Sequence, residues 1–181
     1  MKTKKIHHVA YRCNNAKETV KFYKKALGMD LMLAFAEDRV PSTKEKNPYM
    51  HIFLDAGMGN ILAFFELPNS PKMKKDTNTP EWVQHIAFEV DNLDDLFVAK
   101  TNAESMGLEV IGPINHTLFQ SIYFFDPNGH RLELAVNNSI PKNAMNKIMA
   151  SASEMLNQWD KTKCPPKHNA WLHEDEFKKE K

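Results

Sequence analysis

The chain has 181 residues, with 24 lysines and arginines against 23 aspartates and glutamates and a formal net charge of +1. So even a balance carries no electrostatic footprint for nucleic acid or an anionic lipid surface, and neither nucleic acid nor a membrane is an expected partner. The basic start M-K-T-K-K is followed by no apolar run long enough for a signal peptide, and Cys13 and Cys164 stand far apart. The expectation is a cytoplasmic protein with two free thiols.

In chain order, I-H-H-V-A-Y-R (6–12) alternates as a strand. A-K-E-T-V-K-F-Y-K-K-A-L (16–27) follows, with Ala16, Val20, Tyr23 and Leu27 on one helical face and Gly28 as its stop. Three strands come next, at 30–35, 50–55 and 60–67, with the turn A-G-M-G-N between the last two. Residues 37–48 read as a charged loop whose Arg39 could meet a substrate anion, and 68–82, polar with prolines near both ends, as an exposed crossover. V-Q-H-I-A-F-E-V (83–90) then opens a second pass. It continues with a helix at 93–106, strands at 108–111, 121–125 and 130–136, and the turn D-P-N-G before the last. Past Pro141, residues 144–159 place Met145, Ile148, Met149, Ala152, Met155, Leu156 and Trp159 at helical spacing. That stripe is expected to bury itself against a sheet or a second subunit, so a homodimer is one expected assembly. The charged tail beyond it loses periodicity, and its His168 and His173 lack a carboxylate at ligand spacing.

Sliding 6–12 onto 83–89 sets His8 on His85, Val9 on Ile86, Ala10 on Ala87 and Tyr11 on Phe88. The pattern is written twice. The expected fold is α+β: two tandem βαβββ units, 5–67 and 83–136, form a curved mixed sheet around a metal-binding cleft. They make up a domain of residues 1–138, and 139–181 add a C-terminal helix and charged tail. By the pleat, Gln84, Ile86, Phe88 and Val90 share one face of their strand, and His85 shares the other with the small Ala87, which leaves room before its ring. Each closing strand carries an acid, Glu66 in F-F-E-L and Glu133 in R-L-E-L. Leu132, Leu134 and Val136 form the apolar face of the second, so Glu133 points the other way. His8, Glu66, His85 and Glu133 are therefore expected to face one cleft and to ligate a divalent metal through nitrogen and oxygen.

The paired units, with H-H-V-A-Y, F-Y-K-K-A-L-G-M, Q-H-I-A-F and D-P-N-G-H-R-L-E-L, resemble the vicinal oxygen chelate superfamily over residues 5–136. The resemblance implies a metal with open positions that chelates two neighbouring oxygens of a small-molecule substrate. Residues 114–133, I-N-H-T-L-F-Q-S-I-Y-F-F-D-P-N-G-H-R-L-E, resemble the signature of extradiol ring-cleaving dioxygenases through His116, Ile122, Tyr123, Asp126, Pro127, Gly129 and Glu133. This implies catalytic roles for His116 and Tyr123 beside Fe(II) held by His8, His85 and Glu133, opening a catechol-like diol with O2. Glu66 departs from that pattern, because a second carboxylate would cancel the ion's remaining charge and weaken its hold on an anionic catecholate. As a fourth ligand it makes the set resemble that of bacterial glyoxalase I and of epimerases, which implies Ni, Co, Zn or Mn, an enediolate, and Glu66 or Glu133 as catalytic base. A third reading is a non-catalytic protein that holds a flat ligand between Phe64, Phe119 or Phe125. The ionisable positions argue against a purely apolar cup, because unpaired buried charges are costly. Ring cleavage is the leading expectation.

Overall fold

The computed structural model describes residues 2–74 and 76–165. The tail that carries His168 and His173 lies outside the described residues. The first unit runs β1 (Val9–Cys13), α1 (Ala16–Leu27), β2 (Leu31–Arg39), β3 (Lys46–Asp55) and β4 (Ile61–Glu66). The second runs β5 (His85–Glu89), α2 (Leu93–Ser105), β6 (Ile111–Asn115), β7 (Phe119–Phe125) and β8 (Arg131–Asn137), and α3 (Lys142–Thr162) follows. Each unit forms its own four-stranded mixed sheet, in the order β1-β4-β3-β2 and β5-β8-β7-β6. Only the outer pairs β1·β4 and β5·β8 are parallel, and a helix crosses from the first strand of each unit to the rest.

Local chemistry explains the helix limits. Asn15, extended at φ −151°, accepts the backbone N–H of Glu18 at 3.0 Å, and Gly28 closes α1 at φ 70°, where a side chain would be strained. Asn92 caps α2 in the same way through the N–H of Asp95 at 2.9 Å. The loop expected at 37–48 shrinks to 40–45, because β2 runs on to Arg39 and pairs Glu37 with Tyr49 and Arg39 with Lys46. Cross-strand pairing thus extends through charged residues that read as loop. The strand expected at 108–111 begins at Ile111, where pairing with β7 starts. Gly112, at φ 108°, lies so close to β7 that a Cβ there would sit 2.5 Å from the Ser121 carbonyl oxygen.

The helix-side faces of the two sheets feed one continuous core. Cys13, Tyr23, Leu54, Leu62 and Phe64 of the first unit join Leu96, Ile122, Phe124, Leu132 and Leu134 of the second. Each fully buried large side chain contributes about 1.5–3 kcal/mol. Burial also pushes the Cys13 thiol up to about 11, with Glu66 and Asp126 adding to the rise, while Cys164 is exposed. Polar links cross between the units at the turn before β8. The Tyr23 hydroxyl donates to Asp126 at 3.1 Å, the Asn14 N–H donates to Asn128 at 2.9 Å, and the Tyr11 ring lies 4.8 Å from that of His130.

One consequence governs the site. The helix sides are turned toward a shared core, so the opposite faces of both sheets open away from it. In β5, His85, Ala87 and Glu89 are exposed while Ile86 and Phe88 are half-buried. Strand β2 is exposed along its whole length. Helix α3 buries none of its residues: Ala144, Met145, Ile148 and Met155 are half-covered, and Met149 and Leu156 stay open. The stripe expected to pack on a sheet is therefore only partly covered. Among the described residues no helix is long and apolar enough to cross a membrane.

Candidate metal centre

The open face of the second sheet gathers the functional side chains. Register sets Ala87 and Tyr123 on either side of Glu133, with His85 opposite Arg131 one step along. The small Ala87 lets the neighbouring imidazole approach the carboxylate, and His85 Nε2 lies 2.9 Å from Glu133 Oε2. The other carboxylate oxygen is taken: Oε1 accepts the Tyr123 hydroxyl at 3.0 Å and also the Ser121 hydroxyl. His116 Nε2 stands 2.9 Å on the far side of the same phenol. A chain therefore runs from His116 through Tyr123 to Glu133 and on to His85. Glu133 is only 3% exposed, Ser121 is fully buried and His85 is open.

Tyr123 holds this chain together. Burial raises its pKa, and Glu133 raises it further against the opposing pull of Ser121 and Arg131. The phenol therefore stays protonated at neutral pH and donates to Glu133, leaving its oxygen to accept from a His116 tautomer protonated at Nε2. The Arg131 guanidinium lies over the Tyr123 ring, 4.4 Å from its centroid. His85 Nδ1 is 3.1 Å from the Val83 carbonyl and Nε2 faces the Glu133 carboxylate, so each ring nitrogen meets an acceptor. Beside His85 and Arg131, a cleft of about 720 Å³ opens toward Val83, Phe125, Tyr11 and Met73.

The first sheet does not mirror this chemistry. Val9 pairs with Leu62 and Ile86 with Leu132, so the residue equivalent to Glu133 is Ala63. The expectation that Glu66 matches Glu133 is corrected: Glu66 lies three places further on, an odd step that turns it to the helix side. There its Oε2 accepts the Ala16 N–H at 2.6 Å and caps the N-terminus of α1, where the helix dipole favours negative charge. By the same register Phe53 stands where Tyr123 does, and His51 where Ser121 does. His8 precedes β1, with its Nδ1 2.8 Å from that of His7 and its ring 6.0 Å from Phe53. Among the described residues no three His, Cys, Asp or Glu side chains come together as a metal cage. The expected convergence of His8, Glu66, His85 and Glu133 within one chain is therefore not formed. The structure brings together His85, Glu133, His116 and Tyr123 and leaves His8 and Glu66 elsewhere.

The remaining expected residues scatter. Arg39 donates to the Lys44 carbonyl at 3.3 Å and closes its own loop. Phe64 is core, Phe119 lies 5.0 Å from His116, and Phe125 borders the cleft. Two residues escaped the sequence reading. Ser121 was detectable, two places before Tyr123 and hence on its face. His51 sits in M-H-I-F-L-D on the open face of β3, stacked 3.6 Å from Phe65, and burial followed by the nearby His8 lowers its pKa.

The donor set fits part of a divalent ion's requirement. His85 Nε2 and Glu133 Oε2 are adjacent, the imidazole open and the carboxylate nearly covered, and each is held by a partner on its far side, as ligating imidazoles and carboxylates usually are. Among the described residues no third ligating side chain joins this pair, and His8 is the imidazole at the position equivalent to His85 in the repeat.

Residues 5–134 match the family described as Glyoxalase/Bleomycin resistance protein/Dioxygenase superfamily. Among curated proteins, "Putative ring-cleaving dioxygenase MhqA" of Bacillus subtilis (strain 168) is 28% identical over 141 residues, which is 76% of this chain and 42% of that protein. "Biphenyl-2,3-diol 1,2-dioxygenase 2" of Rhodococcus globerulus is 36% identical over 56 residues, 31% of this chain and 30% of its own length. The chain thus spans under half the length of these two relatives. Among solved structures, the trypanothione-dependent glyoxalase I of Leishmania major overlays with a TM-score of 0.57 at 20% identity, covering 84% of this chain and 97% of that one. At that identity the likeness speaks for the fold alone.

Proposed function

Because the chain belongs to the glyoxalase, bleomycin resistance protein and dioxygenase superfamily, we propose that it is a divalent-metal dioxygenase, preferring Fe(II), that opens the ring of a catechol-like diol beside its two oxygens. His85 and Glu133 would hold the ion, with His8 as the second imidazole, in the two-histidine, one-carboxylate pattern that suits non-haem iron. When bound, the ion lowers the pKa of a diol oxygen and supplies an electron path between the ring and O2. The observation that carries the reading is the Tyr123 phenol, set between His116 and Glu133 within 3.0 Å of each. Kept protonated by burial, it can hold a proton beside the substrate oxygens and exchange it with His116. Glu133 Oε1 is occupied by two hydroxyls, so Oε2 is the oxygen left to meet an ion.

Supporting the same reading, Glu66 is directed to the helix side and Ala63 stands opposite, so the first unit offers no second carboxylate to offset the ion's charge. The lyase or isomerase alternative, with Ni, Co, Zn or Mn, needs Glu66 as ligand or base and loses that acid. The test is anaerobic Fe(II) loading followed by O2 uptake with a panel of catechols. Consumption in step with ring-opened product supports ring cleavage. No uptake, with Ni or Co turning over a hemithioacetal or an acyl-CoA, overturns it. Tyr123→Phe is expected to slow ring opening by about 10²–10⁴-fold while metal stays bound; metal loss in that variant would remove the assigned role. Glu66→Gln is expected to leave metal content and turnover within about twofold of wild type, because its amide oxygen can still accept the Ala16 N–H.

A further inference from the structure

We propose that the cleft beside His85 seats a side arm of the substrate and that Arg131 holds a carboxylate at its end, so the preferred diol is a ring carrying a short anionic chain. This rests on the ring-cleavage reading above. Three observations carry it.

First, the cleft begins at the candidate ion site and leads away from it. Arg131 pairs with His85 on one side and with Phe125 on the other, and all three line the cleft. They form a row on the open face of the second sheet, one step before the row of Ala87, Glu133 and Tyr123. Two residues along a strand span roughly 7 Å, so an arm of about two carbons on a ring at the ion reaches the Arg131 row. The cleft volume of about 720 Å³ suits a substituted ring rather than a bare one.

Second, Arg131 carries a charge that no protein carboxylate answers. Its guanidinium lies 4.4 Å from the centroid of the Tyr123 ring, a contact that fixes the side chain without neutralising it. Its Nε is shut off from water and has no hydrogen-bond partner, and among the described residues no acid forms an ion pair with it. Glu133, two places further on, spends its oxygens on Ser121, Tyr123 and His85. A half-buried cation left unanswered at the wall of an open cleft is placed to meet an anion there. The guanidinium fork matches a carboxylate.

Third, the crossover between the units, which reads as an exposed connector, is the outer wall of this cleft. Met73, Lys74, Thr79 and Pro80 line it. Two ties fasten that wall at the end of β1: Arg12 donates to the Pro71 carbonyl, and Asn14 Oδ1 accepts the Met73 N–H at 3.0 Å. The acids on this wall, Asp76 and Glu81, belong to the crossover, and Asp76 turns back on its own loop to accept the Asn78 N–H at 2.8 Å. Among the described residues the sheet side of the cleft contributes Arg131 and no acid. A wall already fastened in place receives an arm without first ordering a loop.

The experiment loads the protein with Fe(II), keeps O2 out so that nothing turns over, and follows binding by calorimetry. The ligands are a catechol bearing a carboxyethyl arm and the matching primary amide, equal in shape and uncharged. Wild type is expected to bind the acid at least about tenfold tighter than the amide. In Arg131→Gln, with its fold checked by circular dichroism, that ratio is expected to fall to about one, and Arg131→Lys to recover part of it, because lysine keeps the charge and loses the fork. With O2 admitted, the Arg131→Gln loss is expected to fall on KM for the acid, because Arg131 holds the arm and leaves the ring to the ion. A loss confined to kcat and equal for both ligands would mean that Arg131 acts through Tyr123, and overturns the arm site. So does a wild type that binds acid and amide alike, or a preference that outlives Arg131→Gln; either leaves the ring-cleavage reading in place. Wild type that takes up no iron, or takes it up and binds neither catechol, overturns that reading and the arm site with it.

Discussion

Glu133→Ala is expected to abolish tight metal binding and turnover, a loss larger than the roughly 10–100-fold that follows removal of an outer-shell partner. The carboxylate is a charged oxygen donor in direct contact with an imidazole, and it is the shared acceptor of Ser121 and Tyr123. Removal leaves a fully buried Ser121 hydroxyl and the Tyr123 phenol without their acceptor, at about 1–3 kcal/mol each. It also relieves the cost of keeping a carboxylate only 3% exposed, which offsets part of that loss. Metal-free variant and metal-free wild type should therefore melt close together, while excess metal raises the melting temperature of wild type alone. Glu133→Gln separates charge from shape, because it keeps an oxygen for the two hydroxyls and discards the anion. Metal-dependent stabilisation surviving in either variant, followed by calorimetry with Co(II), would remove Glu133 from the ligand set.

How far the sequence reveals this protein depends on the distance over which each feature is decided. Helix α1 was readable to the residue, Ala16–Leu27, because its limits are set within one turn by Asn15 and Gly28. The doubled H-x-A-[FY] stretch was readable because a strand's alternation is local, and it placed His85 on the open face correctly. Glu66 was misread because facing depends on register between strands, which a strand does not carry in itself. Aligning L-A-F (62–64) on L-E-L (132–134) by their buried flanks would have set Ala63 against Glu133 and exposed the odd-numbered offset. Ser121 and Tyr123 share a face by simple parity, but the convergence of both on Glu133 exists only once β7 and β8 are paired. The direction in which the open faces point was out of reach altogether. It follows from packing across the shared core and from the hydrogen bond of Tyr23 to Asp126, more than a hundred residues apart in the chain.

That last contact carries the second large prediction: Asp126→Ala is expected to cost about 3–5 kcal/mol of stability. Asp126 is 5% exposed, and its two oxygens accept four donors. Oδ1 takes the backbone N–H groups of Asn128 at 2.9 Å and His130 at 2.8 Å, which shapes the D-P-N-G turn before β8. Oδ2 takes the Asn128 side-chain amide at 2.9 Å and the hydroxyl of the fully buried Tyr23 at 3.1 Å, which fastens the turn to α1 of the other unit. Alanine strands all four donors, and for a chain of this size the loss corresponds to a fall of roughly 10 °C in melting temperature. Tyr23→Phe removes one donor together with its need for an acceptor, so it should cost only about 1–2 kcal/mol. In the double variant the two losses should not add, because each single change already breaks the same bond. The pH dependence has a definite sign. Burial, followed by Asp126, raises the Tyr23 pKa above that of the unfolded chain, so the phenol's contribution is complete below about pH 10 and declines as the pH climbs past it. Tyr23→Phe should flatten that alkaline decline. An Asp126→Ala protein that melts within about 2 °C of wild type would mean that the core alone orients the two sheets, and that the turn merely rests against α1.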